Sequence, residues 1–338
     1  MKKIKNSHKK SFIKKIFIKV CRFLGYEIID QSNYDVPTMG KALDASLSVP
    51  GKKSINIPLG ETEITSRIKS IKILFRSCTS ELIMDQSKQR LFNKKKSEYT
   101  FRSLNSILKS LEFAQKKFKN VDFEIIVTDS NSPNNDVDKL KSILKNFNIK
   151  NRLQIINLSD FKNEIRGEYS EAKMSNMANF YNSLLIAKKE NSDLFYFVED
   201  DYIHSLETIT EMLFFYEKFS SIFNTKPVLL PSDYPYLYTK NNKTKIYLGE
   251  NRHWRLVDES LVTFLMDKDL ILQNFNNLKT MGIKWEDPWE KPLHEIYNKH
   301  PCLSPIPSLA YHCANINSVF GLSPNIKWKS VWDENEIN

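Results

Sequence analysis

Short apolar runs alternate with amphipathic segments through the middle of the chain. Four apolar runs predict buried strands, at about residues 71–77, 121–129, 152–159 and 193–198. Three segments between them repeat apolar residues every three or four positions and predict helices, at about residues 100–118, 136–147 and 175–190. Strands that alternate with helices are joined by right-handed crossovers into a parallel sheet. The pattern therefore predicts an α/β fold with a mostly parallel central sheet flanked by helices.

A basic amphipathic segment precedes this pattern. Within residues 11–26, SFIKKIFIKVCRFLGY, apolar residues recur at helical spacing with Lys and Arg mostly between them. Such a helix can lie on an anionic membrane surface, here through residues 1–24; the alternative is a helix docked on the body with its basic face in solvent. The lysines interrupt the apolar run too often for a signal peptide or a membrane-spanning helix.

The formal net charge of +10 is concentrated in the same tail. Residues 1–22 contain nine Lys or Arg and no acid, which leaves 41 basic and 40 acidic residues in the rest of the chain. A nucleic-acid-binding protein would more often spread its basic residues over a folded domain. We therefore expect no nucleic-acid partner.

Glycine and cysteine usage excludes two kinds of site. None of the 8 glycines forms a G-x-G pair, so a Gly-rich phosphate loop of the P-loop or dinucleotide type is not expected. The 4 cysteines show no C-x-x-C spacing and no secretory leader beside them, so we expect reduced thiols and no Cys-based zinc site. These features predict a cytoplasmic protein, peripheral on the inner face of the cell membrane if the N-terminal helix binds lipid.

Polar residues follow the predicted strands where each strand ends. The carboxyl ends of the strands in an open parallel sheet are where ligands bind. The residues expected to meet there are Arg76, Ser77, Asp129, Asn131, Asn157, Glu199, Asp200 and Asp201. Asp129 could accept a hydrogen bond from a base or ribose, and Arg76 could pair with a phosphate or a base edge. Each of them alone is equally typical of a polar turn.

Three consecutive acids end the last of the four strands. The segment LFYFVEDD places Glu199, Asp200 and Asp201 directly after a buried aromatic strand. Mg²⁺ and Mn²⁺ prefer oxygen ligands and commonly use one or two protein carboxylates together with phosphates and water. We therefore expect a divalent metal ion at this strand end; the alternative is an ordinary solvated turn.

The segment that contains this acid triplet, residues 178–203 (ANFYNSLLIAKKENSDLFYFVEDDYI), resembles the corresponding segment of a known family. The family is that of the nucleotide-sugar-dependent glycosyltransferases of the GT-A fold, particularly the bacterial family-two-like enzymes. Asn182, Ala187 and the acid triplet fall at matching places. Upstream, EIIVTDSNSPN is similar to the family's second strand, whose acid contacts the donor nucleoside. The resemblance covers about residues 71–205. It implies a Rossmann-like GT-A domain that binds a UDP- or GDP-type sugar donor, with Mn²⁺ or Mg²⁺ held by Asp201 and Glu199.

The same resemblance implies roles for residues in the C-terminal half. His312, in SLAYHCANIN, would be a further metal ligand, although a lone His between Tyr and Cys is more often a packed one. Asp287, with Glu286 beside it, would be the base that deprotonates the acceptor hydroxyl; both residues are also typical of a helix start, which we expect here. Asp258 and Glu259 are the reserve candidates. Asp200 is assigned with Asn182 and the strand-end residues to donor binding.

The resemblance also implies an order of regions and a reaction. We expect an N-terminal extension over 1–65, a nucleotide-sugar-binding half over 66–205, and an acceptor-binding half with a tail over 206–338. About twenty residues separate the first strand from its helix, unlike the family pattern, and the Q-x-x-R-W sequence of processive synthases is absent. We therefore expect a single addition to a saccharide or lipid-linked saccharide. A nucleotidyltransferase and a non-catalytic nucleotide-sugar-binding relative remain the alternatives.

Overall fold

The computed structural model describes residues 12–26, 51–56, 60–80, 91–239, 244–313 and 326–337. The chain divides into two compact units, residues 1–47 and 48–338. The first unit contains helix α1 (Phe12–Phe23), which confirms the predicted amphipathic helix. No helix of the described residues is long and apolar enough to cross a membrane.

The second unit contains all the other described elements. In its N-terminal part the elements are β1 (Lys53–Asn56), β2 (Gly60–Glu63), β3 (Ser70–Ser77), α2 (Lys96–Lys117), β4 (Asp122–Asp129), α3 (Asn134–Lys145), β5 (Lys150–Ile155), α4 (Glu171–Lys189) and β6 (Leu194–Glu199). In its C-terminal part they are β7 (Tyr202–His204), α5 (Thr208–Phe223), β8 (Val228–Leu229), β9 (Ile246–Leu248), β10 (His253–Val257), β11 (Phe264–Asp267), α6 (Lys268–Gln273), α7 (Phe275–Ile283), α8 (Lys291–Tyr297), β12 (Cys302–Ile306), β13 (Ala310–His312) and α9 (Trp328–Glu334).

A nine-stranded sheet organises this unit, in the order β5-β4-β3-β6-β11-β8-β12-β10-β9. The first four strands are parallel and form the longest ladders. The predicted α/β fold with a mostly parallel, helix-flanked sheet is therefore confirmed. The C-terminal strands add mainly antiparallel pairs, beginning with β11 against β6, together with one parallel pair between β8 and β12 in the described part of the sheet. Two small sheets, β1–β2 and β13–β7, lie outside the main one.

Both faces of the sheet are buried, because successive side chains of a strand point to opposite faces and both kinds of position are apolar here. On β3, Ile73 and Phe75 pack in the cluster formed with α2, α3 and α5, whereas Leu74 packs in the cluster formed with α4, α7 and α8. Each of these fully buried side chains contributes about 1.5–3 kcal/mol of transfer free energy. The alternation places Arg76, two residues after Leu74, on the α4 face.

Several boundaries differ from those predicted. Helix α2 begins at Lys96 rather than near residue 100, since three polar residues form its first turn and Glu98 there complements the helix dipole. Strand β5 ends at Ile155, and Asn157 then caps a short 3₁₀ turn (Leu158–Phe161). Glu286 and Asp287 do not open a helix: α8 begins at Lys291, because the residue before Pro288 is kept out of the helical region.

Candidate active site

The ends of β3, β4 and β6 meet at one edge of the sheet. In the parallel registers, Ser77 lies beside Asp129 and Arg76 lies beside Glu199. Neighbouring residues of parallel strands present their side chains on the same face, so these two pairs are in contact. Four of the residues predicted at strand ends are thus brought together.

Asp129 organises the turn that follows β4. Its carboxylate accepts hydrogen bonds from the hydroxyls of Ser77 and Ser132, both at 2.6 Å, and from the Ser132 amide at 3.2 Å. Burial raises the pKa of Asp129 above its ordinary value, although these three donors oppose the shift. Asp129 is 1% exposed, so in this arrangement it holds the turn; its contact with a nucleoside stays a prediction.

Two asparagines in the first half of α4 form hydrogen bonds with residues at the ends of β3 and β4. The Asn179 amide donates to the carbonyls of Ser77 and Thr128, at 3.2 and 3.0 Å, and its oxygen accepts from the Thr128 hydroxyl at 2.6 Å. The Asn176 oxygen accepts a hydrogen bond of 3.1 Å from the Arg76 guanidinium. The helix therefore sets both the spacing of the strands and the direction of Arg76.

Each of the three adjacent acids is paired with a different cation. At about 4 Å and an effective dielectric constant near 20, two carboxylates repel each other by about 4 kcal/mol, so an unpaired triplet would be costly in this partly buried place. Glu199 lies 3.4 Å from Nη2 of Arg76 and accepts a hydrogen bond of 3.3 Å from the Thr263 hydroxyl. The triplet is therefore not an ordinary solvated turn.

Asp200 is held by the beginning of α2. The Lys96 ammonium contacts its Oδ1, while Oδ2 accepts from the Thr100 hydroxyl at 2.8 Å and from the Cys78 amide at 3.1 Å. The donors come from two different elements, the end of β3 and the first turns of α2. Asp200 thereby ties both elements to the end of β6.

Asp201 is paired with His312 from the far end of the chain. Strands β7 and β13 run antiparallel with His312 opposite Tyr202, and the Cys313 amide donates to the Asp201 carbonyl at 2.8 Å. This register brings Nε2 of His312 to 3.2 Å from Oδ2 of Asp201. The imidazole also stacks on the Tyr202 ring, with centroids 4.7 Å apart.

Burial and neighbouring charges shift the pKa values of these groups. Burial raises the pKa of Glu199, and Arg76 opposes the shift. Burial lowers the pKa of the Arg76 guanidinium, and the carboxylates oppose that shift only in part. For Lys96 and His312, burial lowers the pKa but the acids outweigh it, so both pKa values are raised. The acids therefore favour the protonated form of both side chains.

Asp201 and His312 fit two neighbouring ligands of a divalent cation. Donors bound side by side on an octahedral ion at about 2.1 Å lie about 3.0 Å apart, close to the 3.2 Å between Oδ2 and Nε2. Among the described residues, no group of three His, Cys, Asp or Glu side chains is arranged as metal ligands. An ion on this pair would take its other ligands from phosphate and water, and the roles of Asp201, His312 and Glu199 as metal ligands stay predictions.

A second set of carboxylates lies on the C-terminal side of the site. Glu286 is exposed and paired with Lys284, which lowers its pKa. Asp287 is exposed and accepts a hydrogen bond of 3.1 Å from Nε1 of Trp285. Glu290, at the N-cap of α8, is different: burial raises its pKa from 4.5 to about 7, and the charges of Glu199 and Asp287 add to the shift.

The reserve candidates Asp258 and Glu259 follow β10. Burial raises the pKa of Tyr236, and the charges of Glu259, Glu290 and Asp258 add to it. These acids therefore border the same aromatic side chain as Glu290. The charge of His312 in turn lowers the pKa of Glu290, which places this set within electrostatic reach of the Asp201–His312 pair.

Three residues assigned to donor binding lie apart from the acid triplet in their contacts. Asn131 is exposed in the left-handed region (φ 68°) and donates to Glu171 at 2.9 Å. Asn157 is exposed and caps the turn after β5. Asn182 is buried within α4, and its amide nitrogen has no hydrogen-bond partner among the described residues. Their donor contacts stay predictions.

Sequence reasoning missed four residues of the site: Lys96, Asn176, Asn179 and Glu290. A signal existed for the two asparagines, because Asn176, Asn179 and Asn182 are spaced three apart and so share one face of a helix. Nothing in the sequence distinguishes Lys96 from Lys94 and Lys95, which directly precede it. Glu290 could have been suggested by its place in the same WEDPWE segment as Asp287.

No family model matches this chain, and no curated protein matches it either. Solved structures that resemble it include glycosyltransferases. S. aureus TarS 1-349 is similar at 12% identity and a TM-score of 0.39, over 70% of this chain and 57% of that one, so this chain spans little more than half of that relative. The galactosyltransferase LgtC in complex with donor and acceptor sugar analogues is similar at 10% identity and a TM-score of 0.33, over 67% and 66% of the two chains.

A nucleotidyl-transferring protein is also among the similar structures. The inositol-1-phosphate CTP transferase from T. maritima is similar at 13% identity and a TM-score of 0.40, over 79% of this chain and 96% of that one. At such identities and TM-scores, residue roles cannot be carried over by position.

Proposed function

We propose that this chain is a glycosyltransferase that moves a sugar from a UDP- or GDP-type donor to a saccharide or lipid-linked saccharide, by a single addition. The observation that supports the proposal is the convergence of Glu199, Asp200 and Asp201 with their three cations at the carboxyl ends of β3 and β6. This is the edge of an α/β sheet at which nucleotides bind. The cluster combines carboxylates for a metal ion with cations for a diphosphate.

In this proposal, Asp201 and His312 hold Mn²⁺ or Mg²⁺, with Glu199 as a further ligand directly or through water. Such an ion, when bound, neutralises the charge that develops on a departing diphosphate. Arg76 lies beside Glu199 and so limits the repulsion between Glu199 and Asp201. Ser77 and Asp129 hold the turn after β4 that would border the nucleoside, with Asn131, Asn157, Asn182 and Asp200 as the remaining donor contacts proposed.

The acceptor hydroxyl needs a base if the reaction inverts the anomeric centre. We propose Asp287 for this role, with Glu286 beside it, and Glu290 as a second candidate. Glu290 is favoured by its surroundings, since burial and the charges of Glu199 and Asp287 bring its pKa to about 7. A base with a pKa near the working pH takes up a proton most effectively.

A turnover assay tests this proposal. The protein is incubated with UDP- and GDP-sugars and a mixture of saccharide acceptors, with Mn²⁺ or with a chelator, and the nucleoside diphosphate released on transfer of the sugar to an acceptor hydroxyl or to water is measured. We expect release only with the metal, and loss of release in Asp201→Asn. Asp138→Asn is the control, because the Asp138 side chain is 69% exposed and its ion pair with Lys141 lies within one turn of the same surface helix. Equal turnover with and without metal would contradict the proposed role of Asp201.

A parallel assay, with a nucleoside triphosphate and a sugar phosphate in place of the nucleotide sugar, distinguishes a nucleotidyltransferase. Such an enzyme would use the same sheet edge and acids, but it would release pyrophosphate from a nucleoside triphosphate and a sugar phosphate. The sequence lacks the Gly-rich loop that such enzymes normally have. Pyrophosphate release without diphosphate release would support this second function, and binding without turnover would support a non-catalytic relative.

We further propose that α1 binds an anionic membrane surface, as a peripheral protein on the inner face of a membrane would. Its apolar side chains are exposed: Phe12 77%, Ile13 77%, Phe17 58% and Phe23 91%. At 100° per residue, positions 12, 13, 16, 17, 20, 23 and 24 span an arc of about 140°. The nine Lys and Arg of residues 1–22, without a single acid, complement anionic headgroups.

Vesicle co-sedimentation tests the membrane proposal, using phosphatidylcholine vesicles with and without 30% phosphatidylglycerol. We expect binding only to the anionic vesicles, at least a roughly five-fold loss at high salt, and a similar loss in Ile16→Asn. Ile18→Asn is the matched control, because Ile18 lies outside the apolar arc and is less exposed than Ile16. Equal binding to both vesicle types, or sedimentation without vesicles, would contradict the proposal.

A further inference from the structure

One lysine lies among the acids of the site. The Lys96 ammonium contacts Asp200, and only 12% of its side chain is exposed. Burial lowers the pKa of Lys96, but Asp200 and then Asp201 raise it, which places the ammonium within electrostatic reach of both carboxylates. Its charge also acts on His312. Lys94 and Lys95, directly before it, are exposed.

Helix α2 carries this lysine in its first turn. The helix is 22 residues long, and its N-cap residue, Lys95, makes no side-chain capping bond. The positive end of a helix favours anions nearby. Lys96 thus adds a full charge to a place where the backbone already supplies a partial one.

Asp200 does not depend on Lys96 alone. Its Oδ2 accepts two other hydrogen bonds, from the Thr100 hydroxyl and from the Cys78 amide. A lysine ammonium is a compact charge on a flexible four-carbon stem, so it can exchange one anion for another without a change of the backbone. A lysine that served only to stabilise the fold would stay on Asp200 when a ligand binds.

We propose that Lys96 is a binding residue for the diphosphate of the donor, which its ammonium contacts in exchange for Asp200. This inference rests on the proposed function, because it assumes a nucleoside diphosphate at the Asp201–His312 pair. A divalent cation on Asp201 repels the ammonium, whereas the diphosphate brings several negative charges within its reach. Hydrogen bonds from an ammonium to a phosphate oxygen are among the strong ones in proteins.

Calorimetry with nucleotides of different phosphate number tests this role. The affinities of UDP, UMP and uridine, and of GDP, GMP and guanosine, are measured with Mn²⁺ for the wild type, Lys96→Met, Lys95→Met and Thr100→Val. We expect Lys96→Met to weaken the diphosphate by roughly ten-fold or more, and the nucleoside by less than about two-fold. Lys95→Met is expected to match the wild type.

Thr100→Val separates the proposed role from a structural one. It removes a donor to Asp200 but leaves the charge of Lys96, so it should change the three affinities by the same factor. If Lys96→Met also lowers all three affinities equally, or lowers none, the inference is wrong while the proposed function stands. If the wild type binds no nucleotide, both are overturned.

Discussion

The negative charge of each acid in the triplet Glu199–Asp201 is balanced by a cation from a different segment. This pairing allows the three carboxylates to lie next to one another. Arg76 comes from β3, Lys96 from α2 and His312 from β13. A buried carboxylate that loses its partner is destabilising by several kcal/mol, so the pairs also hold these segments together. The same residues that form the candidate site therefore contribute to the fold.

Glu290 should make stability depend on pH. Its folded pKa of about 7 lies above the ordinary 4.5, so its stabilising protonated form is present at low pH and lost as the pH rises through 7. We expect Glu290→Gln to be more stable than the wild type by about 1–3 kcal/mol at pH 8, and equally stable at pH 4.5. Urea unfolding at both pH values measures the difference.

Glu286→Gln is the control for this measurement. Glu286 is 59% exposed and paired with Lys284 at the surface, so its replacement should leave stability nearly unchanged at either pH. Equal effects of Glu290→Gln at pH 4.5 and pH 8 would show that burial does not shift the Glu290 pKa.

At the scale of the elements, α9 is fastened to α2 close to the site. Arg102 donates to the Trp332 carbonyl at 2.7 Å, lies 3.0 Å from a Glu336 oxygen and stacks 4.7 Å over the Trp332 ring. Trp332 also stacks on Phe92, with centroids 4.4 Å apart. Helix α9 thus contacts Phe92 before Lys96 and Arg102 after it.

Arg102→Met should release α9 while the rest of the fold remains. We expect faster hydrogen exchange over residues 326–337 and a loss of about 1–3 kcal/mol, because a buried charged donor and its stacking contact are removed. Lys116→Met is the control, because Lys116 is exposed near the end of α2, the helix that carries Arg102; it should leave the hydrogen exchange of α9 unaltered. Unchanged exchange in Arg102→Met would rule out this clamp.

Elements buried on both sides were predictable from sequence, and short or distant ones were not. Strands β3, β4 and β6 are buried at nearly every position and carry a short apolar run, which leaves little choice of assignment. Strand β13 is three residues long and pairs with β7 across more than a hundred residues, so no local pattern reveals its register. His312 was reached only through a family resemblance, and Lys96 was not reached at all.

For the whole molecule, the position of the site in the fold was easier to predict from the sequence than the contacts between its residues. The topology alone sends Arg76, Asp129 and Glu199 to one edge of the sheet. Which of them faces a ligand depends on hydrogen bonds from other segments, such as those that occupy Asp129. Those contacts are set by tertiary packing, which periodicity does not encode.

The most direct test of the account is calorimetry of UDP, GDP and CDP with and without Mn²⁺, on the wild type, Asp201→Asn and the surface control Asp138→Asn. We predict that one nucleotide binds the wild type and the control only with metal, and that Asp201→Asn weakens it by about 100-fold, since a metal ligand is lost. Metal-independent binding that Asp201→Asn leaves unchanged, or no binding at all, would contradict the account.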